Sequence, residues 1–419
     1  MKIQVTKQKN NSQLVLIPVE GAQTVSVIYF VKAGSRMENL KNNGIAHFTE
    51  HMMFKGTKKR PDAFNISCEA DGLGAYVNAA TDRENTYYYI KSAGEHLSKS
   101  IDLLSDLVLN SKFDETEIEK EKGVIVEEIK MYKDNPSWHI GDLYDGLVYA
   151  NATLGLPIAG EEKTVRAFNR GTFTNYFDDY YSAPNTYLII AGNLKNENGL
   201  GEEYLSGFKE GRQINKPEIL PLQDQPRLIF EERDIQQAHL QIGVPGIPFT
   251  DKRRLAAKIL SIILGGNMSS RLFMELREKR GLAYAVSTRS ENLSDAGQMT
   301  TMAGVRKEKA EEALQLILKE YDNVYKNVTQ AELTRAKEYY KGILSISMED
   351  ISNLAINAAI QLYYTGDTLD INQIKKEIDK VSLDEVRQVA KDLFLREKLN
   401  LAIIGPYNSS KMFDKILEI

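Results

Sequence analysis

The sequence predicts an α+β protein made of two homologous domains, each an antiparallel-rich sheet packed with helices. Three observations lead there. At 419 residues, the chain exceeds the size at which one hydrophobic core usually keeps growing. Segments of the first half recur in the second half, in the same order and at nearly one spacing. Within each half, strand-like and helix-like patterns alternate without Gly-rich phosphate loops.

The repeat rests on three pairs. "FDETEIEKEKGVIVEEIK" from Phe113 lines up with "VTQAELTRAKEYYKGILS" from Val328, 215 residues later. "YLIIAGN" from Tyr187 lines up with "NLAIIGP" from Asn400, 213 residues later. "GLGAYVNAATD" from Gly72 resembles "GLAYAVSTRSE" from Gly281, 209 residues later. A duplicated unit accounts for all three.

Taken in order, "TVSVIYFVKAG" from Thr24 and "TYYYIKSAG" from Thr86 are β-branched and aromatic runs ending at Gly, and read as strands. "EHLSKSIDLLSDLVLN" and "EKAEEALQLILKEYDNVYKN" carry apolar residues at helical spacing and read as amphipathic helices. The stretch before Arg227 contains Pro217, Pro221 and Pro226 and few apolar residues, which reads as a linker. The expected domains are therefore 1–215 and 228–419, joined by 216–227.

Composition narrows the function. Hydrophobic residues make up 42% and charged residues 26%, an ordinary globular balance. A net charge of −5 without a basic run argues against nucleic acid as a partner. No apolar run of about 18 residues occurs, so no membrane span is expected. The first residues lack a signal-peptide pattern, and a cytoplasmic protein is expected. The single cysteine, Cys68, excludes an intrachain disulfide and a Cys-rich metal site, and is given no role.

The chain has five histidines, and two of them, His47 and His51, lie in "GIAHFTEHMMFKGT". Gly44 to Lys55 reads as a short helix, with Asn42 or Asn43 as N-cap and Gly56 as its stop. On that helix His47 and His51 are i,i+4 neighbours and Glu50 is i+3 from His47. Two imidazoles so placed can hold one zinc ion beside a carboxylate that is free to move protons. The H-x-x-E-H order is the inverted zincin signature.

Such a site usually takes a carboxylate as its third protein ligand. The acidic run "EIEKEKGVIVEEIKMY" offers Glu117, Glu119, Glu121, Glu127 and Glu128. At about 100° per residue, Glu121 and Glu128 lie within roughly 20° of each other, while Glu127 points about 100° away from Glu128. Ile118, Ile125, Ile129 and Tyr132 share the sector of Glu121 and Glu128 and are the expected buried stripe. Acidic groups beside a buried stripe are costly unless paired or ligated. Glu128 is selected as the ligand, with Glu121 two turns earlier either holding a ligating histidine or adjusting the charge of the site. In the second half the repeat places Ala336 at the position of Glu121 and Ile343 at that of Glu128. The helix "LAAKILSIILGG", which matches the histidine helix, has neither His nor Glu. The whole ligand set is missing there, so one zinc per chain is expected.

At these residues the chain resembles the pitrilysin-like M16 family of zinc peptidases, in the short two-domain subgroup that includes the mitochondrial processing peptidase and bacterial relatives. "HFTEHMMFKGT" and "EKEKGVIVEEIKMY" look like that family's metal-binding segments, and "GGNMSSRLFMELREKRGLAYAV" like its substrate-binding segment. The resemblance spans essentially the whole chain. It implies a LuxS-like metallohydrolase architecture, with His47, His51 and Glu128 as zinc ligands, Glu50 as general base and Glu121 behind the ligands. It implies an edge strand that receives substrate as a further strand, with Asn78 and Ala79 contacting the peptide. It also implies that Arg277 and Tyr284 reach substrate from the second domain. Gly281 is expected to end a helix after Arg280 and to start the strand carrying Tyr284. The implied activity is endopeptidase action on short or unfolded peptides, in a homodimer or heterodimer enclosing a chamber. The family also contains non-catalytic partner subunits that lack part of the motif, which is complete here. Expressed alone, the first half is expected to hold the metal yet cleave poorly.

Overall fold

The computed structural model describes residues 3–150, 152–194, 200–219 and 223–418. Within the expected linker, Pro221 lies outside them. The strands are β1 (Gln4–Lys7), β2 (Gln13–Pro18), β3 (Thr24–Val31), β4 (Tyr76–Thr81), β5 (Thr86–Ala93) and β6 (Thr186–Gly192), then β7 (Arg227–Glu232), β8 (Gln237–Pro245), β9 (Ala283–Asn292), β10 (Gly297–Arg306) and β11 (Asn400–Gly405). The helices begin with α1 (Ile45–Met52), α2 (Ala63–Gly72), α3 (Leu97–Asn110), α4 (Glu115–Asp134), α5 (Pro136–Val148), α6 (Glu162–Ala167), α7 (Arg170–Tyr180) and α8 (Glu202–Leu205). They continue with α9 (Arg254–Gly265), α10 (Ala310–Asn327), α11 (Gln330–Ser347), α12 (Ile351–Thr365), α13 (Ile371–Lys380), α14 (Leu383–Leu393) and α15 (Lys411–Glu418).

Two compact units emerge, and each carries one sheet. The first sheet has the order β1-β2-β6-β3-β5-β4, the second β7-β11-β8-β10-β9. In the first sheet β2 and β6 run parallel, while β6–β3, β3–β5 and β5–β4 are antiparallel. In the second, β7 and β11 run parallel, and β11–β8, β8–β10 and β10–β9 are antiparallel. Apart from the extra β1, one wiring serves both. The β4/β9 and β6/β11 equivalences are those of the sequence repeat.

The units are not contiguous in sequence. Residues 132–155 belong to the second unit and residues 345–371 to the first. The helix that follows α4, which is α5, packs Ile140 and Tyr144 against Ala402 and Ile404 of β11 in the second unit. Gly243 makes this possible, because a Cβ there would meet the Tyr144 hydroxyl at 2.7 Å. The helix that follows α11, which is α12, lays Ile351, Ala355, Ala358, Ala359 and Leu362 on Val15, Ile17, Ile28, Phe30 and Ile189 of the first sheet. Those α12 positions recur every three or four residues, one stripe of a helix. A buried Ser352–Ser26 hydrogen bond at 3.0 Å and a Lys91–Asp350 ion pair at 2.7 Å fix its start. Domains running 1–215 and 228–419 therefore do not coincide with these units. Periodicity shows that a helix has an apolar stripe, but not which sheet the stripe covers.

The other face of the first sheet carries the main core of that unit, which includes Tyr29, Phe48, Tyr88, Leu104, Ile125 and Phe173. Leu205 of α8 and Phe208, shortly before the expected linker, are also buried in this core. Tyr132, expected in the buried stripe of α4, is instead 37% exposed. It lies where the chain leaves the first unit, and its ring rests on Trp138, with centroids 5.6 Å apart. Val126, outside the predicted stripe, is buried in its place.

Candidate metal and catalytic site

The histidine helix α1 starts differently from expectation. Neither Asn42 nor Asn43 caps it; Gly44 does, in the left-handed conformation with φ of 96°. The free amides at this end are taken by Glu38, whose carboxylate accepts from Gly44 N at 2.8 Å, Ala46 N at 2.7 Å and Asn43 Nδ2 at 2.9 Å. A carboxylate suits a helix N-terminus. Burial nevertheless pushes the Glu38 carboxyl up to about 8, against the pull of those three donors. Gly44 also abuts Gly160, and a Cβ on Gly44 would meet Ala159 O at 2.8 Å. The helix ends at Met52, before Gly56. Phe48 anchors the buried side, edge-on to Phe173 with centroids 4.8 Å apart.

The opposite side of α1 presents His47 and His51, with ring centroids 4.6 Å apart. Glu128 of α4 faces both: its Oε2 lies 3.8 Å from His47 Nε2 and 3.6 Å from His51 Nε2. These three residues are the one group among the described residues whose ligand atoms could hold a metal ion, all within 4.8 Å of one another. Two ligands about 2.0–2.2 Å from a tetrahedral zinc lie about 3.3–3.6 Å apart. The separations of Glu128 from the two imidazoles lie at or just above the top of that range, so small side-chain adjustments suffice and the donor set fits zinc.

The remaining groups position these three side chains. His51 Nδ1 lies 2.8 Å from Glu121 Oε1, which leaves Nε2 to face Glu128. That arrangement sets the ring's orientation and tautomer. Lys55 holds the other oxygen of Glu121 at 2.6 Å. Burial alone would push the Glu121 carboxyl up, but His51 and Lys55 together bring it below the usual range. Burial and the neighbouring His51 push His47 down to about 3, leaving a neutral imidazole able to donate a lone pair. For His51, burial pulls the pKa down, yet Glu121, Glu128 and Glu50 outweigh it and raise it. Glu127 points away, 74% exposed and paired with Lys130 at 2.8 Å.

Glu50 shares α1 with the histidines. Burial pushes its carboxyl up, and Thr81 opposes the rise. The Thr81 hydroxyl donates to Glu50 Oε2 at 2.5 Å. Thr81 ends β4, which among the described residues pairs only with β5 and so forms an edge of the first sheet. Alternation along the strand puts Val77 and Ala79 on the α1 side with Thr81, where both pack on the main core. Asn78 faces the opposite way, and its side-chain oxygen accepts the Ala79 N–H at 2.8 Å.

Sequence reasoning missed Thr81, Lys55 and Glu38. Thr81 and Lys55 lie inside the segments that were singled out. Glu38 had the weaker signal of an acidic residue shortly before a helix start.

Arg277 and Tyr284 belong to the second unit. Phe273–Glu278 is a π-helical turn rather than the expected α-helix, ending at Glu278 instead of Arg280. Gly281, at φ of 58°, closes it through Gly281 N to Arg277 O at 3.0 Å and Leu282 N to Leu276 O at 2.7 Å. Tyr284 lies in β9, an edge of the second sheet, at a bulge: Ala283 pairs with Val305 and Ala285 with Gly304. A bulge re-aims a side chain, and Tyr284 is 75% exposed. The Arg277 guanidinium lies over its ring, 5.4 Å from the centroid.

Residues 14–162 match the model of the insulinase family, peptidase family M16, and residues 167–340 match the peptidase M16 inactive domain. The chain belongs to peptidase family M16. Among the relatives of this M16 chain is the "Uncharacterized zinc protease YmxG" of Bacillus subtilis, 34% identical over 95% of this chain and 97% of that one. An "Uncharacterized zinc protease" of Rickettsia felis is also 34% identical, over 96% and 97% of the two chains. The M16 fold is shared with the crystal structure of a protease from Helicobacter pylori, at a TM-score of 0.91 and 23% identity over 97% and 99% of the chains. A structure titled as the peptidase M16 inactive domain from Pseudomonas fluorescens matches with a TM-score of 0.90 at 19% identity, over 98% and 99% of the chains. No helix among the described residues of this M16 chain is long and apolar enough to cross a membrane.

Proposed function

We propose that this M16 chain is a zinc-dependent endopeptidase that hydrolyses short or unfolded peptides. The observation that carries the reading is the convergence of His47, His51 and Glu128 within 4.8 Å, with Glu50 on the same helix. His47, His51 and Glu128 would hold one zinc ion per chain. Zinc, when bound, supplies Lewis acidity that polarises a carbonyl and makes water a better proton donor.

The chain's own residues do the rest. Glu50 takes a proton from the attacking water and returns it to the leaving amine. Burial keeps its proton affinity high, which suits a group that must both accept and release. Glu121 and Lys55 hold the His51 ring in its ligating orientation. The free edge of β4 suits a peptide added as a further strand, because main-chain hydrogen bonds read little sequence. Ala79 would offer its backbone, with Asn78 moving off the Ala79 N–H as the peptide arrives. Tyr284 would donate to the developing oxyanion and Arg277 would fix peptide carbonyls. The chain is expected to act paired with a second copy or a related chain.

The test is cleavage of a quenched peptide by the purified chain with and without a chelator, beside Glu50→Gln. Activity should vanish on chelation and return with zinc. Glu50→Gln should keep its zinc and lose about 10²–10⁴ in rate. Undiminished turnover by either the chelated enzyme or zinc-loaded Glu50→Gln would reject the reading.

A further inference from the structure

A general base works only if one of its oxygens is aimed at the proton it removes, and a glutamate side chain has several rotors to fix. The Glu50 carboxylate is tied down by one residue: Thr81 gives it a hydroxyl at 2.5 Å. The residue is itself firmly located. It is the last residue of β4 and sits opposite Thr86 of β5, just before the turn closed by Asp82 N to Asn85 O at 2.8 Å. That turn is bolted to the segment preceding α1. Ser35 N donates to Asp82 O at 3.2 Å and Arg36 N to Arg83 O at 2.7 Å. Arg36 and Glu84 form an ion pair at 2.5 Å with both side chains fully buried. The Thr86 hydroxyl adds a bond to Ala33 O at 2.9 Å.

We infer that Thr81 is a positioning residue for Glu50: its hydroxyl selects the carboxylate rotamer in which the second oxygen is left free for the reacting proton. The inference rests on the proposed role of Glu50 as base. Because Thr81 lies on the edge strand proposed to receive the peptide, substrate seating and base alignment then share one short rigid element. The hydroxyl, not the shape of the side chain, carries the effect. Valine has the same shape and cannot donate, whereas serine is smaller and can.

The test compares zinc-loaded Thr81→Val, Thr81→Ser and Glu50→Gln in the full chain. Thr81→Val should retain zinc content, melting temperature and KM, and lose about 10-fold to 100-fold in kcat, the range expected from misplacing a catalytic group. Thr81→Ser should recover most of that loss. A crystal structure of metal-loaded Thr81→Val should show the Glu50 carboxylate rotated while His47, His51 and Glu128 stay in place. Wild-type kcat in Thr81→Val, equal loss in Thr81→Val and Thr81→Ser, or an unmoved Glu50 in that crystal would each overturn the inference. Inactive Glu50→Gln beside fully active Thr81→Val would remove the Thr81 role alone. An active Glu50→Gln would remove the base reading and the Thr81 role with it.

Discussion

The corner formed by α1, α4 and β4 in the first unit has a counterpart in α9, α11 and β9 of the second. Both pack a helix against the edge of a sheet with the same strand order, yet the joints are made differently. In the first unit α1 meets β4 through the Glu50–Thr81 hydrogen bond. In the second, the last residue of α9, Gly265, sits directly on β9, where a Cβ would meet Thr288 N at 2.7 Å. The helix α9 buries Ile259, Leu260, Ile263 and Leu264 with no histidine or carboxylate among its residues. Where α4 carries the nearly buried Glu121, α11 has the buried Ala336; where α4 carries Glu128, α11 has Ile343, 46% exposed. One backbone plan therefore supports either a polar cluster or plain close packing. Burying several ionisable groups is costly unless something pairs or ligates them. The first unit carries that cost and the second does not, the division expected if only the first holds a metal.

The hardest way to break the comparison is to separate the halves. The resemblance suggested a first half that holds metal alone, but α12 covers one face of its sheet. A chain ending at Pro217 exposes Val15, Ile17, Ile28, Phe30 and Ile189. At roughly 1.5–3 kcal/mol for each large apolar side chain, this rivals a typical net stability of about 5–15 kcal/mol. Residues 1–217 should aggregate or lack near-UV circular dichroism, and adding a segment covering 345–371 should improve folding. A monomeric, cooperatively melting 1–217 would contradict the exchange.

The next test asks whether the metal-free unit contributes chemistry. Tyr284→Phe should keep full zinc occupancy and an unchanged Tm, yet lose about 10²–10³ in kcat/KM, the usual effect of removing one oxyanion donor. Wild-type kinetics would leave the second unit a purely structural role.

The ligand assignment can be sharpened within α4 itself. Glu128→Gln should sharply lower zinc content measured by metal analysis, whereas Glu127→Gln, which alters only an exposed pair with Lys130, should leave it unchanged. The reverse order would invalidate the facing of α4. One zinc per chain should be found, and a second tightly bound equivalent would contradict the contrast between the units.

The smallest expected effect is on the pH dependence of the metal-free protein. His47, pushed down to about 3 by burial, stays neutral in the fold, while in the unfolded chain it takes up a proton near 6.5. Its contribution to stability is intact above 6.5 and falls as the pH drops from 6.5 towards 3. The slope is at most about 1.4 kcal/mol per pH unit. His47→Gln should flatten the acid limb of a denaturation series in chelator, and an unchanged slope would show that this ring is not held neutral.

Much of this molecule was determined by local sequence. The i,i+4 spacing put His47 and His51 on one side of α1, and helical phase separated Glu128 from Glu127. These are properties of a single helix, fixed by 3.6 residues per turn whatever surrounds it. The strands β3 and β5 likewise follow from β-branched and aromatic runs, and the helices α3 and α10 from apolar periodicity. The repeat exposed the paired architecture, because equivalent strands keep equivalent patterns. Other features depended on groups distant in sequence. Gly44 displaced the asparagines as the N-cap of α1 because that position lies against Gly160, and the free amides went to the neighbouring carboxylate of Glu38. Thr81 reaches Glu50 from the end of a strand whose hairpin turn is held by the buried ion pair of Arg36 and Glu84. Tyr132 left the buried stripe, and α5 and α12 took opposite units, because an amphipathic helix records how wide its apolar face is and not which surface will cover it. That choice is made by the long-range packing of the finished fold, where the best-fitting sheet need not be the nearest in sequence.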